Sequence, residues 1–117
     1  MKIEMNQLPI KTLPHFNGGE KEFLAAMFVD DHNKILRGRL VPGASIGYHC
    51  HATSSEIIYI LSGTGCVYVN GQDNGIENAV CERLTPEDCH YCPKGYFHSL
   101  VNDGTEDLIF FAVVPQQ

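Results

Sequence analysis

The sequence predicts an all-β fold, a barrel or a sandwich. Three observations carry that expectation. Short runs rich in β-branched and aromatic residues recur along the chain, Gly, Pro, Asn and Asp punctuate them, and the intervals between runs are modest.

Phe23 to Val29 is mostly apolar, Asp30-Asp31-His32-Asn33 is polar, and Lys34 to Val41 resumes, which predicts two extended segments around a turn. Gly19 to Phe28 is the first helical possibility, because Glu20, Lys21 and Glu22 precede the apolar run. Its short span and the turn that follows favour a strand. In the second segment Leu36 and Leu40 alternate with Arg37 and Arg39, the pattern of a half-buried strand, while Gly38 permits close packing. Pro42-Gly43 interrupts the run before Ile46 to His51.

Ile57 to Leu61 is too short and too strongly bounded for a helix, and reads as a strand packed on both faces. Ser62-Gly63-Thr64-Gly65 turns the chain into Cys66 to Val69, which leads to Asn70-Gly71. Asn74-Gly75 and Pro86-Glu87-Asp88 mark turns around a less legible middle, and Cys89 to Cys92 precedes the break Pro93-Lys94-Gly95. His98 to Val101 and Leu108 to Val114, the latter with Phe110 and Phe111, are the last extended segments, separated by Asn102-Asp103-Gly104-Thr105.

A length of 117 residues favours one domain. Fourteen acidic residues against eight basic ones give a formal charge of −6, and the basic residues form no dense tract, so nucleic acid is a poor partner. No apolar run is long enough for a membrane-spanning helix, and no basic, apolar and cleavage regions open the chain. No membrane partner and a cytoplasmic location are therefore expected. The five cysteines, Cys50, Cys66, Cys81, Cys89 and Cys92, establish no disulfide framework, and most are expected as reduced strand residues. Cys89-x-x-Cys92 is a zinc or redox alternative that lacks a companion Cys-x-x-Cys and a helical start.

His49 and His51 carry the chemistry. One residue apart in an extended chain, they lie on the same face while Cys50 points away; a helix would separate them by roughly 200°. Glu56 and His98 would join them from neighbouring strands. Three imidazoles and one carboxylate suit Mn²⁺, Fe²⁺, Co²⁺, Ni²⁺ or Zn²⁺, and four protein ligands leave open positions on a five- or six-coordinate ion.

The spacing resembles the cupin superfamily. Its first characteristic pattern is Gly, five residues, His-x-His, three or four residues, Glu, six residues, Gly, and Gly43, His49, His51, Glu56 and Gly63 satisfy every interval. Its second is Gly, five residues, Pro-x-Gly, two residues, His, three residues, Asn. Pro93, Gly95, His98 and Asn102 match, while Glu87 occupies the initial Gly position. A positive φ at Glu87 would signal strain. The resemblance implies a double-stranded β-helix, or jelly-roll barrel, in a single domain of residues 1–117 with a core near 34–114 and an N-terminal extension. It also implies one divalent transition metal per chain, held by His49, His51, Glu56 and His98.

The resemblance further implies a metal-dependent enzyme for a small polar organic molecule, with oxygenation, decarboxylation or isomerisation as reaction classes. A metal-dependent binding or sensing module without catalysis is the second reading, and a structural metal is a third. Small one-domain cupins commonly pair, which favours a homodimer. His90, whose ordinary pKa is near neutrality, is the candidate catalytic acid or base. Tyr48, Tyr59, Tyr68, Tyr91, Tyr96 and Phe97 are further pocket candidates, with packing the alternative for each, and Arg37 or Arg39 could recognise a substrate carboxylate, with a solvated strand face the alternative.

Overall fold

The structure, a computed structural model, describes residues 1–70, 73 and 75–117. The N-terminal segment contributes strand β1 (Ile10–Pro14), which the sequence pattern did not reveal, and it pairs with β2 (Glu22–Val29). The polar tetrad after β2 makes the expected turn: the Asp30 carboxylate accepts the backbone N–H groups of His32 and Asn33 at 2.9 and 2.7 Å and starts β3 (Asn33–Leu40). In β3 Leu36, Gly38 and Leu40 are buried while Arg37 and Arg39 are exposed, as the alternation predicts. Gly38 is needed there because a Cβ would stand 2.3 Å from the Phe110 ring.

The remaining strands are β4 (His49–Cys50), β5 (Glu56–Ser62), β6 (Gly65–Val69), β7 (Val80–Leu84), β8 (Cys89–Cys92), β9 (Phe97–Val101) and β10 (Leu108–Pro115). They form two sheets, ordered β1-β2-β3-β10-β5-β8 and β4-β9-β6-β7, with antiparallel neighbours throughout. Leu40, Ile58, Ile60 and Phe110 of the first sheet pack against Val67, Leu84 and Leu100 of the second, so the inner faces enclose one apolar core. The architecture is the all-β double-stranded β-helix that the sequence predicts. Among the described residues, no helix is long and apolar enough to cross a membrane.

Four expectations need correction or restriction. Of Ile46 to His51, only His49–Cys50 pairs as a strand. Gly47 explains why: its N–H donates to the Phe16 carbonyl at 3.0 Å, and a Cβ on it would stand 1.9 Å from the Asn17 carbonyl oxygen, so the N-terminal segment takes this stretch of backbone. Strand β5 is not packed on both faces in the single chain. Glu56, Ile58 and Ile60 point inward, whereas Ile57, Tyr59 and Leu61 are 38, 39 and 46% exposed, because the core lies on one side of the sheet. Cys66 and Cys81 form a disulfide, while Cys50, Cys89 and Cys92 are free. In the expected turns at Asn70-Gly71 and Asn74-Gly75, Gly71 and Asn74 lie outside the described residues.

The second motif places its residues as turn and anchor. Asn102 is fully buried; its side-chain amide donates to the carbonyls of Leu40 and Glu106, both at 2.8 Å, and its Oδ1 accepts the Gly104 N–H at 3.0 Å. This ties the β9–β10 connection to β3. Glu87 has φ 77°, close to the 85°, 78° and 85° of Gly43, Gly63 and Gly95, so the substituted position does carry left-handed backbone.

Candidate metal centre

Three strands bring the four side chains together. The β4–β9 register sets His49 directly opposite His98, Glu56 opens β5 on the inward phase, and His51 follows β4 with its N–H on the Tyr96 carbonyl at 3.4 Å and its own carbonyl accepting the Gly95 N–H at 2.7 Å. His51 Nε2 lies 3.1 Å from His49 Nε2, 3.1 Å from His98 Nε2 and 2.9 Å from Glu56 Oε1, and His98 Nε2 lies 3.0 Å from the same carboxylate oxygen. All four ligand atoms fall within 4.8 Å of one another. Donors about 2.1 Å from one ion and at right angles stand about 3.0 Å apart, so the spacing and the donor set fit a divalent metal.

Each ring is held by its other nitrogen. His49 Nδ1–H donates to the Gly47 carbonyl at 2.6 Å, which leaves the Nε2 lone pair of the neutral ring facing the cluster. Ser54 Oγ stands 3.2 Å from His51 Nδ1, and His90 Nε2 stands 3.0 Å from His98 Nδ1. Burial lowers His49 from its ordinary 6.5 to about 4, keeping that lone pair free at neutral pH. Burial alone would raise Glu56, but hydrogen bonds from His51 and His98, together with their charge, hold it down at about 2.

A cavity of about 620 Å³ reaches His49, His51 and Glu56. Its apolar wall comes from Phe16 of the N-terminal segment, Phe23, Met27 and Leu36 of β2 and β3, and Phe110 and Val114 of β10, and its polar wall from Asn17, the turn residues Asp30, Asp31 and Asn33, Lys34, Thr53 and Gln116. Among the described residues no tyrosine lines this cavity, whereas Tyr91 and Tyr96, with Phe97 and His90, line a separate one of about 240 Å³. Tyr59 and Tyr91 are exposed on the outer face of the larger sheet, and Tyr48 stacks on Phe97 at 5.2 Å between ring centroids. Arg37 and Arg39 also lie on that outer face, and Arg39 pairs with Asp107. The pocket residues that went unread, Phe16 and Asn17, had no periodic pattern around them to mark them.

His90 is buried on β8, outside that cavity wall. It packs behind His98, with its Nδ1 3.6 Å from Glu82 Oε1, and burial lowers it from 6.5 to about 4. The Cys89-x-x-Cys92 pair does not converge: three residues apart on a strand, Cys89 faces solvent and Cys92 the interior. Burial raises the Cys92 thiol to about 12.

The cupin-domain family model matches residues 36–114. The chain belongs to the cupin family. This cupin is 32% identical over 120 residues to an oxalate-binding protein of Thermotoga maritima, covering 97% of the chain and 93% of the relative. It is 31% identical over 77 residues to a germin-like protein of Morus alba, spanning 66% of the chain and 35% of that protein. A solved structure, a predicted oxalate decarboxylase from Thermotoga maritima, superposes with a TM-score of 0.86 over the whole of both chains at 26% identity.

Proposed function

We propose that this cupin holds one divalent transition metal through Nε2 of His49, His51 and His98 and a carboxylate oxygen of Glu56, and that it converts a small polar organic molecule there. One observation carries the reading: three imidazoles have their Nδ1 atoms engaged by neighbours and their Nε2 atoms turned to one point beside a carboxylate, at the end of a cavity. A bound ion would supply Lewis-acid polarisation of a coordinated carbonyl or carboxylate oxygen. The residues of the chain fix the donors, would offset part of the ion's positive charge through Glu56, and wall the site with apolar and polar side chains together.

His90 lines a separate cavity of about 240 Å³ and not the one that reaches His49, His51 and Glu56, and its Nε2 stands 3.0 Å from His98 Nδ1, so its position favours support of the His98 ring over proton exchange with a substrate on the ion. The second reading, ligand binding without turnover, draws on the Thermotoga relative being an oxalate-binding protein. Native protein reconstituted separately with Mn²⁺, Fe²⁺, Co²⁺, Ni²⁺ and Zn²⁺ tests both. About one equivalent of metal per chain, lost in His51→Ala, is the expected result; no stoichiometric uptake in any form refutes the assignment. A panel of small oxygen-rich acids, run with and without dioxygen, then separates oxygenation, decarboxylation and isomerisation, and saturable binding with no product selects the binding reading.

We also propose that the chain pairs with a second copy through the outer face of the larger sheet, where Ile57, Tyr59, Leu61 and Tyr91 are exposed.

A further inference from the structure

We infer that the ligand selected by this cavity carries an apolar body behind its metal-binding head: an aryl- or alkyl-bearing 2-oxo or 2-hydroxy acid, and not a bare dicarboxylate such as oxalate. The inference rests on the metal-centre reading above. Size is the first argument. A cavity of about 620 Å³ lies in the range of about 300–1,000 Å³ that holds drug-sized ligands. Oxalate, two carboxylates joined directly, displaces roughly three waters of about 30 Å³ each and would leave most of that space unfilled.

The lining is the second argument. Away from the histidines the lining divides in two: Phe16, Phe23, Met27, Leu36, Phe110 and Val114, from the N-terminal segment and three strands, make an apolar wall, and Asn17, Asp30, Asp31, Asn33, Thr53 and Gln116 a polar one. The apolar wall recognises hydrocarbon, and an apolar group that packs on it gains about 25 cal/mol for each Å² removed from water. A dicarboxylate has nothing to place there.

Charge is the third. Among the described residues lining the cavity, Lys34 is the only lysine or arginine, and it is exposed, close in sequence to the exposed acids Asp30 and Asp31. Arg37 and Arg39, whose forked donors would suit a second carboxylate, lie on the opposite face of the sheet. With Glu56 already among the donors and Asp30 and Asp31 on the lining, a chelating 2-oxo or 2-hydroxy acid, which brings one negative charge, is better matched than chelating oxalate, which brings two.

Titration calorimetry on the Co²⁺-loaded protein tests this, with oxalate, pyruvate and phenylpyruvate as probes and the metal content of every sample measured in parallel. Phenylpyruvate is expected to bind at least tenfold more tightly than either pyruvate or oxalate. Met27→Trp, which fills the apolar end, should weaken phenylpyruvate at least tenfold and leave pyruvate within twofold. Phe16→Ala, a half-buried rim position, should weaken phenylpyruvate severalfold and serves if Met27→Trp disturbs folding. With metal fully loaded, no preference for phenylpyruvate, including no binding at all, overturns the inference, as does an equal effect of the wall variants on all three acids. Failure of the wild-type protein to take up metal instead overturns the metal-centre reading, and this inference with it.

Discussion

Replacing His90 with Phe would keep a ring of similar volume behind His98 while removing the nitrogen 3.0 Å from His98 Nδ1. His98 is 1% exposed, so no water reaches the abandoned Nδ1–H. A buried donor left without a partner costs about 1–3 kcal/mol. Part of that cost falls on folding and part on the metal, because the ring is no longer fixed in the tautomer that presents Nε2 to the cluster. Losses of metal-bound support of this kind weaken affinity about 10–100-fold, which is about 1.4–2.8 kcal/mol. Competition against a chelating dye at constant pH reads the dissociation constant, and circular dichroism checks that the variant is folded. His90→Gln, whose side-chain carbonyl can accept from Nδ1–H, should recover part of the loss. A folded His90→Phe protein with an unchanged dissociation constant refutes the supporting role; unchanged metal affinity with abolished turnover would restore His90 as an acid or base.

Two further predictions concern stability. Glu87→Gly should stabilise the protein by about 0.5–1 kcal/mol, because left-handed backbone costs a non-glycine residue about 1–2 kcal/mol and the extra freedom of an unfolded glycine returns about 0.5–1. Its N–H bond to the Ile60 carbonyl at 2.9 Å is available to either residue, so a lower urea midpoint in the variant would contradict the strain at φ 77°. In metal-free protein, His49 and His90 are held from 6.5 to about 4, so between those values the unfolded chain binds protons that the native rings refuse, and stability falls on acidification. Glu56, held from 4.5 to about 2, acts in the same direction lower down: its contribution is present above pH 4.5 and is lost as the pH falls towards 2. The His49 share is at most about 3 kcal/mol, nearer about 2 after solvent screening. Urea midpoints measured with a chelator from pH 7 to 4 should decline, and a flat profile would show that the rings are not desolvated.

The metal candidates were legible because their intervals in sequence are the intervals that strands and turns impose in space: His49-x-His51 shares a face by alternation, and Pro93-x-Gly95 sets the distance to His98. The pocket was less legible because an aromatic residue in a strand can face either way. The phase that decides it was nevertheless present. Once Glu56 faces inward, Ile58 and Ile60 must follow and Tyr59 must face out; on β8, inward His90 sends Tyr91 outward. The N-terminal wall carried no such phase. His15, Asn17 and Lys21 have φ of 50°, 54° and 56°, so the segment that delivers Phe16 to the cavity is irregular and has no period to read. The Cys66–Cys81 bond depends on a register in which Tyr68 faces Cys81 and Cys66 faces Arg83, a diagonal relation invisible without the pairing.

Strand β5 reads from its sequence as buried on both faces, yet one face is open in the single chain, and a second copy would reconcile the two. Beside Leu61 the outer surface of the larger sheet forms a groove lined by Ile10, Leu24 and Ile109, with Arg37 and Arg39 also on its walls: apolar floor and polar margin, the anatomy of a specific interface. A standard interface removes about 800 Å² from each partner, roughly an eighth of the 6467 Å² surface of this chain. Light scattering should therefore give twice the 13.0 kDa chain mass at tens of micromolar protein. Leu61→Glu would place a carboxylate in that apolar surface and shift the mass to that of one chain. Metal content should not change, because Leu61 lies on the phase of β5 opposite to Glu56. A wild-type protein of single-chain mass under these conditions refutes the pairing, and leaves the open face of β5 as the property of a monomer.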